Sequence, residues 1–104
     1  MSVLLEFSMF PTDRGESKSE FVARVLDVID TSGLDYQLTP MGTVVEAENI
    51  DDALKLIGDC YKVLEPDCNR VSSFLKFDIR KGKSGRLSSK ISAVEEKLGR
   101  SVKS

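Results

Sequence analysis

The sequence predicts an α+β sandwich of order βαββαβ followed by a further helix. This is the split-βαβ arrangement called ferredoxin-like, a four-stranded antiparallel sheet with both long helices on one face. Three observations carry the prediction. Stretches around residues 3–10, 34–39, 43–47 and 70–80 alternate apolar and polar side chains, as half-buried strands do. The segments after the first and third of these repeat apolar residues at helical spacing. Only Pro40-Met41-Gly42 separates the second strand from the third, which makes the pair a hairpin. A length of 104 residues fits one domain covering residues 1–104.

In the first strand, Val3, Leu5, Phe7 and Met9 share one face, and Leu4, Glu6, Ser8 and Phe10 the other. A loop follows over residues 11–16. Ser17 with Glu20 three residues on has the capping-box pattern, and Phe21, Val22, Val25, Leu26 and Ile29 form the stripe of the first helix. Ser32-Gly33 ends it. The second strand, 34–39, stops at Pro40. Thr43, Val44 and Val45 are β-branched and start the third strand. That strand presents a carboxylate, Glu46, where an apolar residue would be unremarkable.

Asn49 can cap the second helix. Its expected inner face is Ile50, Ala53, Leu54, Ile57, Tyr61 and Leu64, with Tyr61 in the core, before Pro66 stops it. Residues 70–80 are the longest strand signal, with Val71, Ser73, Leu75, Phe77 and Ile79 on the helix side. A basic loop over 81–85 leads into a last amphipathic helix carrying Leu87, Ile91, Val94 and Leu98, ended by Gly99. In this topology the first and third strands are central. The face away from the helices mixes Phe10 and Phe74 with Glu6, Glu46, Lys76 and Asp78, a combination typical of an interface.

Composition narrows the chemistry. The chain has no histidine, which removes the usual general base, the histidine-based triads and the commonest zinc ligand. Residues 1–69 hold 5 Lys/Arg against 14 Asp/Glu, whereas residues 70–104 hold 10 against 3. The basic residues are interleaved with core positions, so this asymmetry is read as attraction within or between subunits rather than as a nucleic-acid arm. No apolar run reaches the roughly 18 residues of a membrane span, and residues 1–10 read as a strand, not a signal peptide. Two cysteines, Cys60 and Cys68, make no disulfide framework and suit a reducing cytoplasm.

Gly82-Lys83-Ser84 is not a phosphate loop, because Phe77 stands where the motif needs its first glycine. The Arg14-Gly15-Glu16-Ser17 stretch reads as an ordinary helix start. Glu6 and Glu46 fall on the same sheet face of neighbouring strands. Without a nucleophile or metal cluster, ligand hydrogen bonding or pairing with Lys76 fits them better than acid–base catalysis.

Several stretches together resemble the small thiamine-binding protein family, the single-domain group related to the thiamine and hydroxymethylpyrimidine binder YkoF. They are Glu6-Phe7-Ser8, Pro11 with Gly15, Ser17 and Ser19, Ser32-Gly33-Leu34 with Tyr36, Pro40-Met41-Gly42-Thr43 with Glu46, Arg70-Val71, and Lys76 to Arg80. The resemblance runs from about residue 4 to residue 98, and Met-Gly-Thr-x-x-Glu is its most specific piece. Ala47, Asp13 and Tyr61-Lys62 depart from the pattern, the last pair standing where His-Glu often occurs.

The resemblance implies the same ferredoxin-like fold, a dimer of dimers, and non-catalytic binding of thiamine or its pyrimidine moiety, with no cofactor. The ligand-binding residues expected on this basis are Glu6, Ser8, Thr43, Glu46 and Phe74. A carboxylate suits the cation and the exocyclic amine, Ser8 and Thr43 offer hydroxyls, and Phe74 offers a ring face. Two readings of other classes stand beside it. One is an acylphosphatase-like enzyme using Arg14, although the third strand has no asparagine. The other is an assembly or regulatory module whose sheet face only meets other subunits.

Overall fold

The computed structural model describes residues 1–15 and 18–104. It has the elements β1 (Ser2–Pro11), α1 (Ser19–Thr31), β2 (Asp35–Thr39), β3 (Gly42–Ala47), α2 (Ile50–Leu64), β4 (Val71–Arg80) and α3 (Arg86–Leu98). The strands form one antiparallel sheet in the order β2-β3-β1-β4. This is the predicted α+β ferredoxin-like architecture, with β1 and β3 central.

The core lies between the sheet and the layer of α1 and α2. Leu5, Phe7 and Met9 of β1 and Val45 of β3 pack with Phe21, Val25 and Ile29 of α1, and a second cluster joins Val3 and Ala47 to Ala53 of α2. Each large aliphatic side chain buried this way contributes about 1.5–3 kcal/mol. At the start of α2, the Asn49 side chain accepts the Asp52 N–H at 2.8 Å, which supplies the expected cap. The predicted Ser17 cap of α1 lies outside the described residues.

Helix α2 is turned relative to the expectation. Ala53, Leu56, Cys60 and Leu64 are buried, whereas Leu54 and Tyr61 are 50% and 40% exposed. Both stripes are apolar at helical spacing, so periodicity alone does not choose between them. The approach of α1 does: the Cys60 thiol lies 3.9 Å from the Val25 carbonyl, and Leu56, Cys60 and Leu64 share one cluster with Val25 and Ile29. Tyr61 is therefore outside the core.

Strand β4 also departs in part. Its register places Leu75 opposite Phe7 and Ile79 opposite Val3, on the helix side as expected. Both remain about half exposed, because α1 and α2 lie over β1 and β3 and leave the outer strand uncovered.

The far face of the sheet is not uniformly open. Helix α3 lies across one end of it, bringing Leu87 and Ile91 beside Leu4 and Val44. The other end, with Ser8, Phe10 and Phe74, stays bare.

Candidate functional site

The β2–β3 turn shapes a cavity by stopping β3 early. The Thr39 hydroxyl donates to the Gly42 carbonyl at 2.8 Å and accepts the Met41 N–H at 3.2 Å. That pulls Met41 away from β1. Pairing of β1 with β3 ends at Phe7 opposite Thr43, whereas pairing with β4 continues to Pro11 opposite Val71. Gly42 is required here. Its φ is +154°, and a Cβ on it would lie 3.0 Å from the Phe7 carbonyl oxygen.

Beyond that point β1 has no ladder partner on its β3 side among the described residues. The Phe7 carbonyl faces Gly42 on the β3 side. The next carbonyl, Ser8, faces β4, where it accepts the Ser73 hydroxyl at 2.9 Å. By strand alternation, the N–H and C=O of Met9 point back to the β3 side, past the end of β3. A main-chain donor and acceptor therefore sit side by side in the gap.

The gap opens into a cavity of about 300 Å³ between β1, the turn and α1. This is at the lower end of small-molecule sites, roughly 300–1,000 Å³. Its side chains are apolar or hydroxyl-bearing, including Val22, Val25, Leu26 and the buried Thr43. A second, shallower cavity of about 520 Å³ lies on the outer face, lined by Glu6, Phe74, Leu75 and Lys76. The two share Phe7, Ser8, Phe10 and Met41. Phe74, opposite Ser8, is 70% exposed. Glu6 faces Lys76 across the strands and is a diagonal neighbour of Phe74, at roughly 7–8 Å.

The structure thus brings Ser8 and Thr43 to the inner cavity and Glu6, Ser8 and Phe74 to the outer one. Glu46 lines neither. Its carboxylate accepts the Ser2 hydroxyl at 2.6 Å and the backbone N–H groups of Arg86 and Leu87 at 3.1 and 3.3 Å, at the start of α3. Desolvation pushes its carboxyl up, but those three hydrogen bonds and the Arg86 guanidinium outweigh burial and hold it below the ordinary carboxylate value.

Arg86, its side chain only 9% exposed, donates to the Ser2 hydroxyl and carbonyl, and to the Asp78 carboxylate at 3.0 Å. Sequence reasoning missed Arg86. The available signal was a basic residue in the first turn of a helix, which the helix dipole disfavours unless a carboxylate sits close by.

Elsewhere, Arg14 donates to the Asp67 carbonyl, and Arg24 bonds the Asp67 carboxylate at 2.6 Å. These contacts tie the loop after β1, through Arg14, and helix α1, through Arg24, to the loop before β4. Cys60 and Cys68 are buried free thiols, and burial pushes the Cys60 thiol up to about 11. Among the described residues there is no group of three or more His, Cys, Asp or Glu able to hold a metal. None of the described helices is long and apolar enough to cross a membrane.

Comparison with known proteins agrees with this architecture. UPF0045 protein MJ1052 of Methanocaldococcus jannaschii is 33% identical over 94 residues, covering 90% of this chain and 93% of that one. UPF0045 protein Mb1933 of Mycobacterium bovis is 32% identical over 98 residues, covering 94% of this chain and 96% of its own length. The crystal structure of MJ1052 superposes with a TM-score of 0.81, over 91% of this chain and 97% of that one. A Thermotoga maritima protein with a proposed role in thiamine biosynthesis or salvage shares the fold, with a TM-score of 0.78 at 21% identity over 90% of this chain and 99% of its own. The family model for thiamine-binding protein matches residues 5–95. The chain belongs to the thiamine-binding protein family.

Proposed function

We propose that this protein binds thiamine, or its hydroxymethylpyrimidine moiety, without transforming it. The observation that carries the reading is the convergence of Ser8 and the Met41-Gly42-Thr43 turn on one cavity, in a chain of this family. In this reading Ser8 and Thr43 hydrogen-bond the ligand, and Glu6 and Phe74 contact it from the outer cavity. Glu46 supports the fold by holding α3 rather than by touching the ligand. Calorimetry with thiamine and with hydroxymethylpyrimidine tests the proposal. Saturable heat with at least one supports it, and no heat with either at millimolar ligand removes it.

The same reading has the protein working as a homo-oligomer in a reducing cytoplasm, which suits its two unpaired thiols. Strand β4 is a 10-residue edge strand that carries exposed Leu75 and Ile79, and pairing with a second copy would resolve such an edge. The radius of gyration, 15.2 Å, exceeds the roughly 13 Å of a compact domain this long. Sedimentation of a monomer at every salt concentration would remove the oligomer.

A further inference from the structure

We propose that the wedge between α3 and the far face of the sheet is a separate binding site for a small amphipathic monocarboxylate. The apolar chain of such a ligand lies under the helix, and its carboxylate meets Lys90 and Gln37. The inference does not rest on the thiamine reading. It starts from the way α3 is attached. The helix is fastened at its first turn, where Arg86 and Leu87 donate their N–H groups to Glu46. No residue of the helix is fully buried.

Beneath the helix lies a cavity of about 350 Å³, within the range of small-molecule sites. Leu87 and Ile91 roof it, Leu4 and Val44 floor it, and all four stay only half-buried. Apolar side chains facing each other across an unfilled gap forgo the contacts of close packing. A hydrocarbon chain in the gap would be buried against both walls. The charges around the cavity are uneven. Asp78 is paired with Arg86 at 3.0 Å, and Glu6 stands opposite Lys76 in the β1–β4 register. Lys90 is left over. Its neighbours three and four residues away are Arg86, Leu87, Ala93 and Val94, so the helix offers it no acid. Among the described residues Lys90 forms no ion pair. Gln37, opposite Val44, has a side-chain amide with no hydrogen-bond partner among the described residues. A cation and an amide donor beside an apolar wedge complement a carboxylate on a hydrocarbon chain. A chain with an ammonium head would meet Lys90 as a like charge.

The test is calorimetric titration of the intact protein with octanoate, hexanoate and octylammonium, each below its micelle concentration, together with hydrogen exchange at the α3 amides. Octanoate is expected to bind saturably at millimolar ligand or below and to slow exchange along α3. Hexanoate, two methylenes shorter, and octylammonium, of opposite charge, are each expected to bind about tenfold more weakly. Lys90→Met keeps an unbranched, helix-favouring side chain and removes the charge, and is expected to weaken octanoate about fivefold. Lys90 is exposed, and an unchanged circular dichroism spectrum and thermal midpoint will confirm that the variant folds. No heat with octanoate at millimolar ligand, octylammonium binding as tightly as octanoate, an unchanged octanoate affinity in Lys90→Met, or binding without protection of α3 each overturns the site. Protection of α3 that rises with protein concentration and ignores octanoate overturns it in favour of a second copy as the occupant. Thiamine binding is decided separately, by calorimetry with that ligand.

Discussion

Replacing Glu46 with Gln should loosen α3 from the sheet. In the wild type the carboxylate gathers the Ser2 hydroxyl, two α3 N–H groups and the adjacent Arg86 guanidinium. Gln keeps one oxygen that can accept an N–H, but its amide has to face a donor and its charge is gone. A hydrogen bond to a charged group contributes about 1.5–3 kcal/mol net. Losing one such bond, with partial rearrangement of the rest, costs about 2 kcal/mol. For a domain of this size that is a fall of roughly 8–16 °C in the thermal midpoint, if α3 unfolds with the rest. If α3 detaches by itself, the same energy appears as roughly 30-fold faster hydrogen exchange at its amides.

The pH dependence follows from the direction of the Glu46 shift. Its folded value is depressed, so its contribution is fully present above the ordinary value of 4.5 and is lost as pH falls through the lower folded value. Wild type and Glu46→Gln should therefore differ most at neutral pH and converge in acid. Denaturation curves and exchange rates measured at neutral and acidic pH check this. A variant matching wild type in both global stability and α3 exchange at neutral pH would refute the role assigned to Glu46.

Other outcomes are expected from the same geometry. Gly42→Ala should lower stability by about 1–3 kcal/mol and weaken thiamine binding, because its methyl would meet the Phe7 carbonyl; thermal melting and calorimetry read both. Thr43→Val removes the buried hydroxyl of the inner cavity, so it should weaken thiamine and hydroxymethylpyrimidine alike, by about fivefold to tenfold. Cys60, buried and with its thiol pushed up to about 11, should resist iodoacetamide at pH 8 until the protein unfolds. Ile79→Lys on the open edge of β4 should shift sedimentation toward monomer without unfolding the chain.

The residues' own periodicities determined most of the architecture. Alternation in Val3–Phe10 assigned each side chain of β1 to its face, because a strand offers only two. Pro40 and Gly42 made the hairpin, and the order of elements left one plausible sheet topology. The motif residues Ser8, Met41, Gly42 and Thr43 were also legible, through the family they resemble.

Only the tertiary structure decided three further matters. Helix α2 carries two overlapping apolar stripes, and the close approach of α1 at Val25 selected the one containing Cys60. The partners of Glu46 were hidden in the sequence, because local pattern cannot show what arrives from elsewhere in the chain. The N terminus of α3, 40 residues later, claims both its oxygens. The early end of the β1–β3 pairing, short of Met9, was likewise invisible in sequence. It exists because the Thr39 side chain ends β3 two residues short of Met9, and that consequence appears only once β1 and β3 are paired. A side chain's face is set by its neighbours along the chain, but its partners are set by which distant segments the fold brings within a few ångströms.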